Sequence, residues 1–496
     1  MSQLNDERLK CVQCKQLKQT NIKIKYCEAC ILKNCEKKYG RCIECKQIYT
    51  GKDWCQTCNS KRFQQNFENW TSGNDDIDKF IQSTQLSARN YYQILEWIPY
   101  NNFRNITYIA EGGFGKVYKA NWKDGYITHW DSSKHQWKRI FKVNSFVALK
   151  SLSNSQNVKL KFINEITLHL KIHEYKISDQ IIKCHGITQD PETKDYIMVM
   201  NYAIIGSLWN VLNKKKKKLY KKHIFSDLNC CLQIWKCKIN ILHQIAVGLK
   251  RIHGKELIHR DLHIGNIVCF RYSYCITDMG LCKPANYNEL ENAENNVYGV
   301  LAYLAPEILR GEHYTQASDI YSFGVIMYEV ISELPPYYDT AHELCLALDI
   351  CEGLRPEFNI KVPQLVLHLI KRCLDANPSD RPNAKELLRT IYEWVNELNK
   401  YCIRMEDDEL IKTELIKQIE ETDKINNALA NNNSSLTYKM HPKAVYKSRP
   451  LYFKSLPEPK NSNDYYEIYN NISTKRYSEN FPKFDKSDCF ECEIVD

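Results

Sequence analysis

The segment Ile258-His-Arg-Asp-Leu-His-Ile-Gly-Asn266 constrains this chain most, because it sets a carboxylate and, five residues on, a carboxamide in one short loop. An Asp beside a nucleophilic hydroxyl can accept its proton, and an Asn at that spacing can ligate a metal from the same loop. Twelve residues later, Ile276-Thr-Asp278-Met-Gly adds a carboxylate, a hard oxygen donor suited to a divalent cation bridging phosphates. Upstream, Ile109-Ala-Glu-Gly-Gly-Phe-Gly-Lys-Val-Tyr118 is a glycine-rich turn between β-branched or aromatic runs. There Gly112, Gly113 and Gly115 let backbone amides approach phosphate oxygens without side-chain interference. Val147-Ala-Leu-Lys150 reads as an apolar strand ending in Lys, and fifteen residues on Glu165 falls in the helical run 159–170. A buried Lys–Glu pair at these positions could hold the Lys against phosphates. Ala305-Pro-Glu307, Asp319-Ile-Tyr-Ser-Phe-Gly324 and Asp380-Arg381-Pro follow in order. Each piece alone fits an ordinary turn or a salt-bridged surface residue; the ordered set does not.

On these motifs the stretch 103–398, about 60% of the chain, resembles the eukaryotic protein kinases. Within them it is most similar to the tyrosine-kinase-like group and its fungal expansions. The resemblance implies an α+β, two-lobed fold, with a small β-rich N-lobe, a larger helical C-lobe and ATP in the cleft. It implies that Lys150 pairs with the α- and β-phosphates, that Glu165 holds it, and that Asp261 is the catalytic base. Asn266 and Asp278 would bind Mg²⁺. Ala110, Gly112, Gly113, Phe114, Gly115, Val117 and Ala148 would surround the nucleotide, Met200 would guard the back of the adenine pocket, and Asn201-Tyr-Ala203 would be the hinge. Glu307 and Arg381 would pair beneath the activation segment, and Asp319 would brace the catalytic loop. The implied activity is transfer of the ATP γ-phosphoryl group to protein hydroxyls, Ser/Thr ahead of Tyr. The alternative is an ATP-binding pseudokinase scaffold that works through its N-terminal module.

Four positions depart from the family pattern. Ala110 replaces the first glycine of the phosphate loop, and Met279 replaces the aromatic between Asp278 and Gly280. His263 stands where serine/threonine kinases usually carry a Lys on the γ-phosphate, and Val300 where they often keep a Thr. None removes a metal ligand or the base, so an active enzyme is favoured. Between Asp278 and Glu307 there is no Ser or Thr, and the hydroxyls belong to Tyr287, Tyr298 and Tyr303. Arg260 would then anchor a phosphotyrosine, unless Glu289, Glu291 or Glu294 supplies a constitutive charge or the Arg meets only backbone and solvent.

Nine of the 22 cysteines lie between Cys11 and Cys58, eight of them in the pairs Cys11/Cys14, Cys27/Cys30, Cys42/Cys45 and Cys55/Cys58. Four Cys-x-x-Cys pairs can close two tetrahedral thiolate shells around Zn²⁺ in a zinc-ribbon-like module, with pairing either sequential or interleaved. Such closed shells are structural rather than catalytic, and Cys35 is left to packing. A redox role for one pair is the minor reading. With twelve Lys/Arg, six Asp/Glu, eight thiolates and two zinc ions, residues 1–60 carry about +2, too little to require nucleic acid. A protein partner is the preferred reading for this module.

The remaining organisation follows from composition and periodicity. The expected divisions are a cysteine-rich module (1–60), a helical linker (61–102), the catalytic domain (103–398), an amphipathic helix (399–430) and a disordered tail (431–496). Asp75 and Asp76 suit a helix start after the turn Thr71-Ser-Gly-Asn74, and Ile411, Leu415, Ile419, Ile425 and Leu429 mark an apolar stripe. An insert at 122–145, dense in Trp, His and Lys, is either a docking surface or an excursion packed on its own lobe. The basic run Lys214–Lys222 reads as a solvated loop, with nuclear localisation or acidic lipid as the minor alternative, and Cys489/Cys492 is too little for a zinc site. No run of 18 apolar residues and no apolar leader occurs, so neither a membrane span nor secretion is expected, and the cytoplasm or nucleus is. The net charge of +10 is modest for this length and demands no polyanionic partner.

Overall fold

The structure is a computed structural model that describes residues 11, 13–14, 16, 27–112, 115–140, 146–152, 159–172, 180–212, 231–270, 273–284, 297–403, 412–432 and 439–462. Gly113, Phe114, Tyr287, Glu289, Glu291, Glu294, Ile411, the run 214–222, and Cys489 and Cys492 lie outside the described residues.

In the cysteine-rich region, helices α1 (Glu28–Tyr39) and α2 (Gln56–Gln64) each begin directly after a cysteine, Cys27 and Cys55. Helix α3 (Asp75–Ser87) starts at the expected turn. The Asn74 side chain caps it by accepting from the amides of Asp76 and Ile77 at 3.1 and 3.3 Å, and three first-turn aspartates oppose its positive end. Ile77 and Ile81, one turn apart, are fully buried beside Tyr196, Met198 and Ile166. Burial of this kind stabilises by about 1.5–3 kcal/mol per aliphatic side chain. Helix α3 is thereby built into the N-lobe rather than suspended between domains.

The N-lobe sheet uses β1 (Glu96–Trp97), β2 (Phe103–Gly112), β3 (Gly115–Trp122), β6 (Phe146–Leu152), β7 (Cys184–Gln189) and β8 (Tyr196–Asn201), in the order β1-β7-β8-β6-β3-β2. All neighbours are antiparallel except β1 and β7. Between β3 and β6, the strands β4 (Tyr126–Asp131) and β5 (Gln136–Ile140) form a separate hairpin. Trp137 of β5 stacks on Phe63 of α2 at 4.5 Å and on Trp54 at 5.9 Å, while Ile127 of β4 joins the same buried cluster. The hairpin packs both ways, on Trp54 of the cysteine-rich region and on its own lobe, where Tyr126 of β4 stacks 4.7 Å from His185 of β7 and Arg139 pairs with Glu96 of β1. Helix α4 (Lys159–Ile172) follows β6 and buries Ile166 in the lobe.

The C-lobe is helical. In chain order come β9 (Gly206–Ser207), α5 (Leu208–Leu212), α6 (Cys231–Gly254), β10 (Leu257–Ile258), β11 (Ile267–Cys269), β12 (Tyr274–Ile276), β13 (Lys283–Pro284), β14 (Val297–Gly299) and α7 (Pro306–Leu309). Then follow α8 (Gln316–Ser332), α9 (Leu344–Cys351), α10 (Gln364–Cys373), α11 (Ala384–Ile403), α12 (Glu414–Asn432) and β15 (Arg449–Leu451). Helix α8 is buried from Ser318 to Ile331, and a Thr315–Ser318 capping box fixes its start. Through Asp319 it holds the loop that starts at His259.

Two sequence expectations need correction. The amphipathic helix expected over 399–430 starts only at Glu414, residues 399–403 ending α11, and its apolar stripe is buried in its first half, with Leu415, Ile416 and Ile419 inside and Ile425 and Leu429 exposed. The second half is held by polar contacts instead, with the Asn426 carboxamide exchanging hydrogen bonds with the Lys361 backbone at 2.8 and 2.9 Å. The expectation of disorder beyond 430 fails over 439–462, which run along the C-lobe as an extended segment containing β15. Its backbone is paired there, and Leu451 and Leu456 are buried in the C-lobe core. Residues 463–496 lie outside the described residues.

Candidate active site and thiolate centres

Strand register and helix placement bring distant residues together. Val117 of β3 stands opposite Lys150 of β6, and Ala148 stands opposite Met200 of β8. Ala110 of β2 faces Val117, and Gly112 faces Gly115 at the turn. From the sheet, the Lys150 ammonium reaches the Glu165 carboxylate of α4 at 2.8 Å and the Asp278 carboxylate at 2.9 Å. Burial opposes its charge, but the two carboxylates outweigh burial and hold Lys150 protonated above its ordinary range. Burial likewise works against ionised Asp278, yet the adjacent ammonium brings its pKa below the usual carboxylate value.

The loop that carries Asp261 and Asn266 is fastened from below. Asp319 of α8 accepts the backbone N–H groups of His259 and Arg260 at 2.8 and 3.0 Å, and pairs with the His253 ring at 2.9 Å. Arg260 and Asp278 hold left-handed backbone, φ 72° and 62°, a conformation that surrounding bonds must enforce in residues with a Cβ. Asn266 Nδ2 donates to the Asp261 carbonyl at 2.9 Å and to its carboxylate at 3.2 Å, which leaves Oδ1 as an oxygen donor. Asn266 Oδ1 and the Asp278 carboxylate are hard donors that fit Mg²⁺, and Lys150 fits a phosphate. Glu307 meets Arg381 in a buried bidentate pair at 2.7 and 2.8 Å. Removing one partner of such a pair strands a charge and costs about 3–5 kcal/mol.

The departures from pattern find specific surroundings. Met279 is fully buried, with Cys282 at 3.7 Å from its sulfur, and Val300 is buried in the C-lobe core. The His263 ring accepts the Gly265 amide at Nδ1, 3.1 Å, so its Nε2 carries the proton, 3.7 Å from Asp261. Met200 is buried, and Asn201 is engaged through its side chain by His185 at 2.5 Å. Ala203 follows, also buried. Tyr303 is buried with its hydroxyl donating to Glu329, and the Arg260 guanidinium lies 4.4 Å over the Tyr314 ring.

One residue at this site escaped the sequence reading. The Ser448 hydroxyl lies 2.7 and 2.9 Å from the two Asp261 carboxylate oxygens and 3.3 Å from His263 Nε2. A Ser flanked by Lys447 and Arg449 in an aperiodic stretch gives no local sign of a partner 187 positions away.

Residues 103–391 match the family described as protein tyrosine and serine/threonine kinase, which is more than half of the chain. The chain belongs to the protein kinases. The kinase is 26% identical over 312 residues to a probable serine/threonine-protein kinase of Dictyostelium discoideum, covering 60% of this chain and 15% of that protein. Over 261 residues it is 30% identical to the probable serine/threonine-protein kinase roco8 of the same organism, covering 50% and 13%. With mouse mitogen-activated protein kinase kinase kinase 7 the identity is 26% over 310 residues, covering 62% and 46%. The kinase thus spans less than half the length of these relatives.

Outside the cleft, the kinase carries two thiol quartets, Cys11/Cys14/Cys27/Cys30 and Cys42/Cys45/Cys55/Cys58, each with all sulfurs within 4.8 Å of one another. Their composition is sequential, which resolves the pairing that spacing left open. Sulfur–sulfur distances of 3.6 Å (Cys14–Cys27), 3.9 Å (Cys42–Cys58) and 3.4 Å (Cys45–Cys55) bracket the roughly 3.8 Å edge of a tetrahedron with 2.3 Å zinc–sulfur bonds. Cys35 stands apart, with Sγ 4.0 Å from the Thr50 carbonyl.

Proposed function

We propose that this kinase transfers the γ-phosphoryl group of Mg²⁺-bound ATP to Ser and Thr hydroxyls of proteins, in the tyrosine-kinase-like manner. The observation that carries this reading is the convergence of Lys150, Glu165 and Asp278 with the Asp261–Asn266 loop in one cleft. Serine/threonine specificity is carried over from the names of the relatives. Similarity to mouse mitogen-activated protein kinase kinase kinase 7 supports the group assignment. We take 103–398 as the catalytic domain and 1–60 as a zinc module.

Mg²⁺–ATP supplies an activated phosphorus and a cation that neutralises charge on the phosphate oxygens. The chain's own residues do the rest. Glu165 fixes the Lys150 ammonium where it can meet phosphate oxygens. Asn266 Oδ1 and Asp278 would hold the metal. Asp261 orients the acceptor hydroxyl and takes its proton, while Asp319 keeps the loop from shifting. Met200 and Ala148, adjacent across the sheet, would close the adenine side. Two structural Zn²⁺ ions would be held by the two thiol quartets, and the surface they order would receive a protein partner. Zinc thiolates need a reducing compartment, which favours the cytoplasm or nucleus. Among the described residues no helix is long and apolar enough to cross a membrane.

Purified kinase incubated with Mg²⁺ and labelled ATP should phosphorylate a generic protein substrate, with label recovered as phosphoserine and phosphothreonine. Asp261→Asn should lower the rate at least a hundredfold while the folded state persists. Equal rates in the two proteins would refute the assignment of the base.

A further inference from the structure

Resting on the kinase reading, we propose that Ser448 is an intramolecular phosphoacceptor, presented to Asp261 by a C-terminal segment that docks as the chain's own peptide substrate. Strand β15 adds antiparallel to β14, pairing Val297 with Leu451, Tyr298 with Pro450 and Gly299 with Arg449. The two strands make a sheet of their own, so the segment is held by main-chain pairing to a single strand, which leads into the Ala305-Pro-Glu307 turn. Anchors on both sides of Ser448 fix its position. Ahead of it, the Tyr446 ring lies 4.9 Å from Trp209 and 4.8 Å from His342, and its hydroxyl donates to the Pro336 carbonyl at 2.8 Å. Behind it, Arg449 donates to the His342 carbonyl at 2.6 Å, Leu451 is buried, and Glu458 pairs with Arg310. The Tyr298 hydroxyl donates to the Ser448 carbonyl at 3.4 Å, so the acceptor residue is held by its backbone as well.

The hydroxyl is oriented for reaction, not merely nearby. Ser448 Oγ donates its proton to the Asp261 carboxylate and accepts from His263 Nε2–H, whose tautomer is set by the Gly265 amide at Nδ1. A segment that only blocked the groove would need no hydroxyl at this position. In the transfer, a bond forms between Ser448 Oγ and the γ-phosphorus while the bond from that phosphorus to the β,γ-bridging oxygen breaks. The Oγ proton passes to Asp261, and ADP departs. The product phosphoserine carries about −1.5 to −2 charges against the Asp261 carboxylate, and that repulsion expels the segment from the groove. Phosphorylation of Ser448 therefore opens the peptide site to other substrates.

The test uses the full chain, dephosphorylated, with Mg²⁺–ATP and a generic Ser/Thr peptide in the same tube, over a hundredfold range of protein concentration. Mass spectrometry follows phosphate at Ser448. The expected result is first-order phosphorylation of Ser448 with a rate constant independent of protein concentration. A rate constant proportional to concentration overturns the intramolecular route. Peptide phosphorylated with Ser448 left bare overturns the inference alone, and neither phosphorylated overturns the kinase reading with it. In addition, Ser448→Glu should show a several-fold lower KM for the peptide than Ser448→Ala, which keeps the docked segment and cannot be phosphorylated there, and equal KM values overturn expulsion.

Discussion

Glu329 shows how burial alone can set a residue's chemistry. It lies on the fully buried face of α8, where removal from water lifts its pKa to about 8 despite the donated Tyr303 hydroxyl. Between the ordinary value of 4.5 and about 8, the folded chain holds a proton that the unfolded chain has released. Stability therefore falls as pH rises through that window and levels off above it. Glu329→Gln keeps the shape and an acceptor for Tyr303 but has no charge to bury. Its stability should gain on the wild type steadily from pH 5 to about pH 8, by about 4 kcal/mol over that range, seen as a widening difference in melting temperature that stops growing above it. Parallel pH profiles in thermal denaturation would refute a buried proton. The same contact occupies the Tyr303 hydroxyl of a buried ring, whereas Tyr298 is only half-buried, with its hydroxyl donating to the Ser448 carbonyl.

At the scale of elements, the β4–β5 hairpin acts as a clamp. Trp137 stacks on Phe63 and Trp54, Arg62 lies 4.4 Å from the Trp130 ring, and Ser132 donates to Glu44 at 2.7 Å. The Arg139–Glu96 ion pair ties the hairpin back to β1. Trp137→Ala should loosen this contact by about 2–4 kcal/mol, below a full core deletion because Trp137 is only partly buried. Hydrogen exchange at residues 42–63 should quicken, while exchange in α8 should not change. Unaltered exchange in 42–63 would show that the thiol quartets alone hold that region.

Across the whole molecule, the cysteine-rich region is joined by contacts to α3, which packs beside α4. The Thr50 hydroxyl donates to the Arg89 carbonyl at 2.8 Å and the Trp54 indole to the Ala88 carbonyl at 2.9 Å, both just past the end of α3. Helix α3 packs in the cluster that holds Ile166 of α4, the helix that carries Glu165. Metal analysis of the purified chain should return two zinc ions per molecule, and one after Cys45→Ser. Chelation should lower the first unfolding transition, because metal-dependent folding free energy is lost with the ion. A chain with no bound zinc, or with a melting curve indifferent to chelator, would refute structural metal sites.

Short-range information was enough for much of this protein. Cys-x-x-Cys spacing, the Asn74–Asp75–Asp76 helix start, the apolar strand that carries Lys150 (though it runs on to Leu152) and the Asp261–Asn266 loop are all encoded within a few residues, because capping, thiolate geometry and loop reach are local. What the sequence could not disclose depends on residues far apart in the chain. These are the sequential grouping of the thiols, the seat of Trp137 on Phe63, the half-buried stripe of α12, and above all Ser448 on Asp261. Each is decided by which surfaces meet after collapse. A hydroxyl in a polar, aperiodic stretch has the same local preferences whether it faces water or a buried carboxylate.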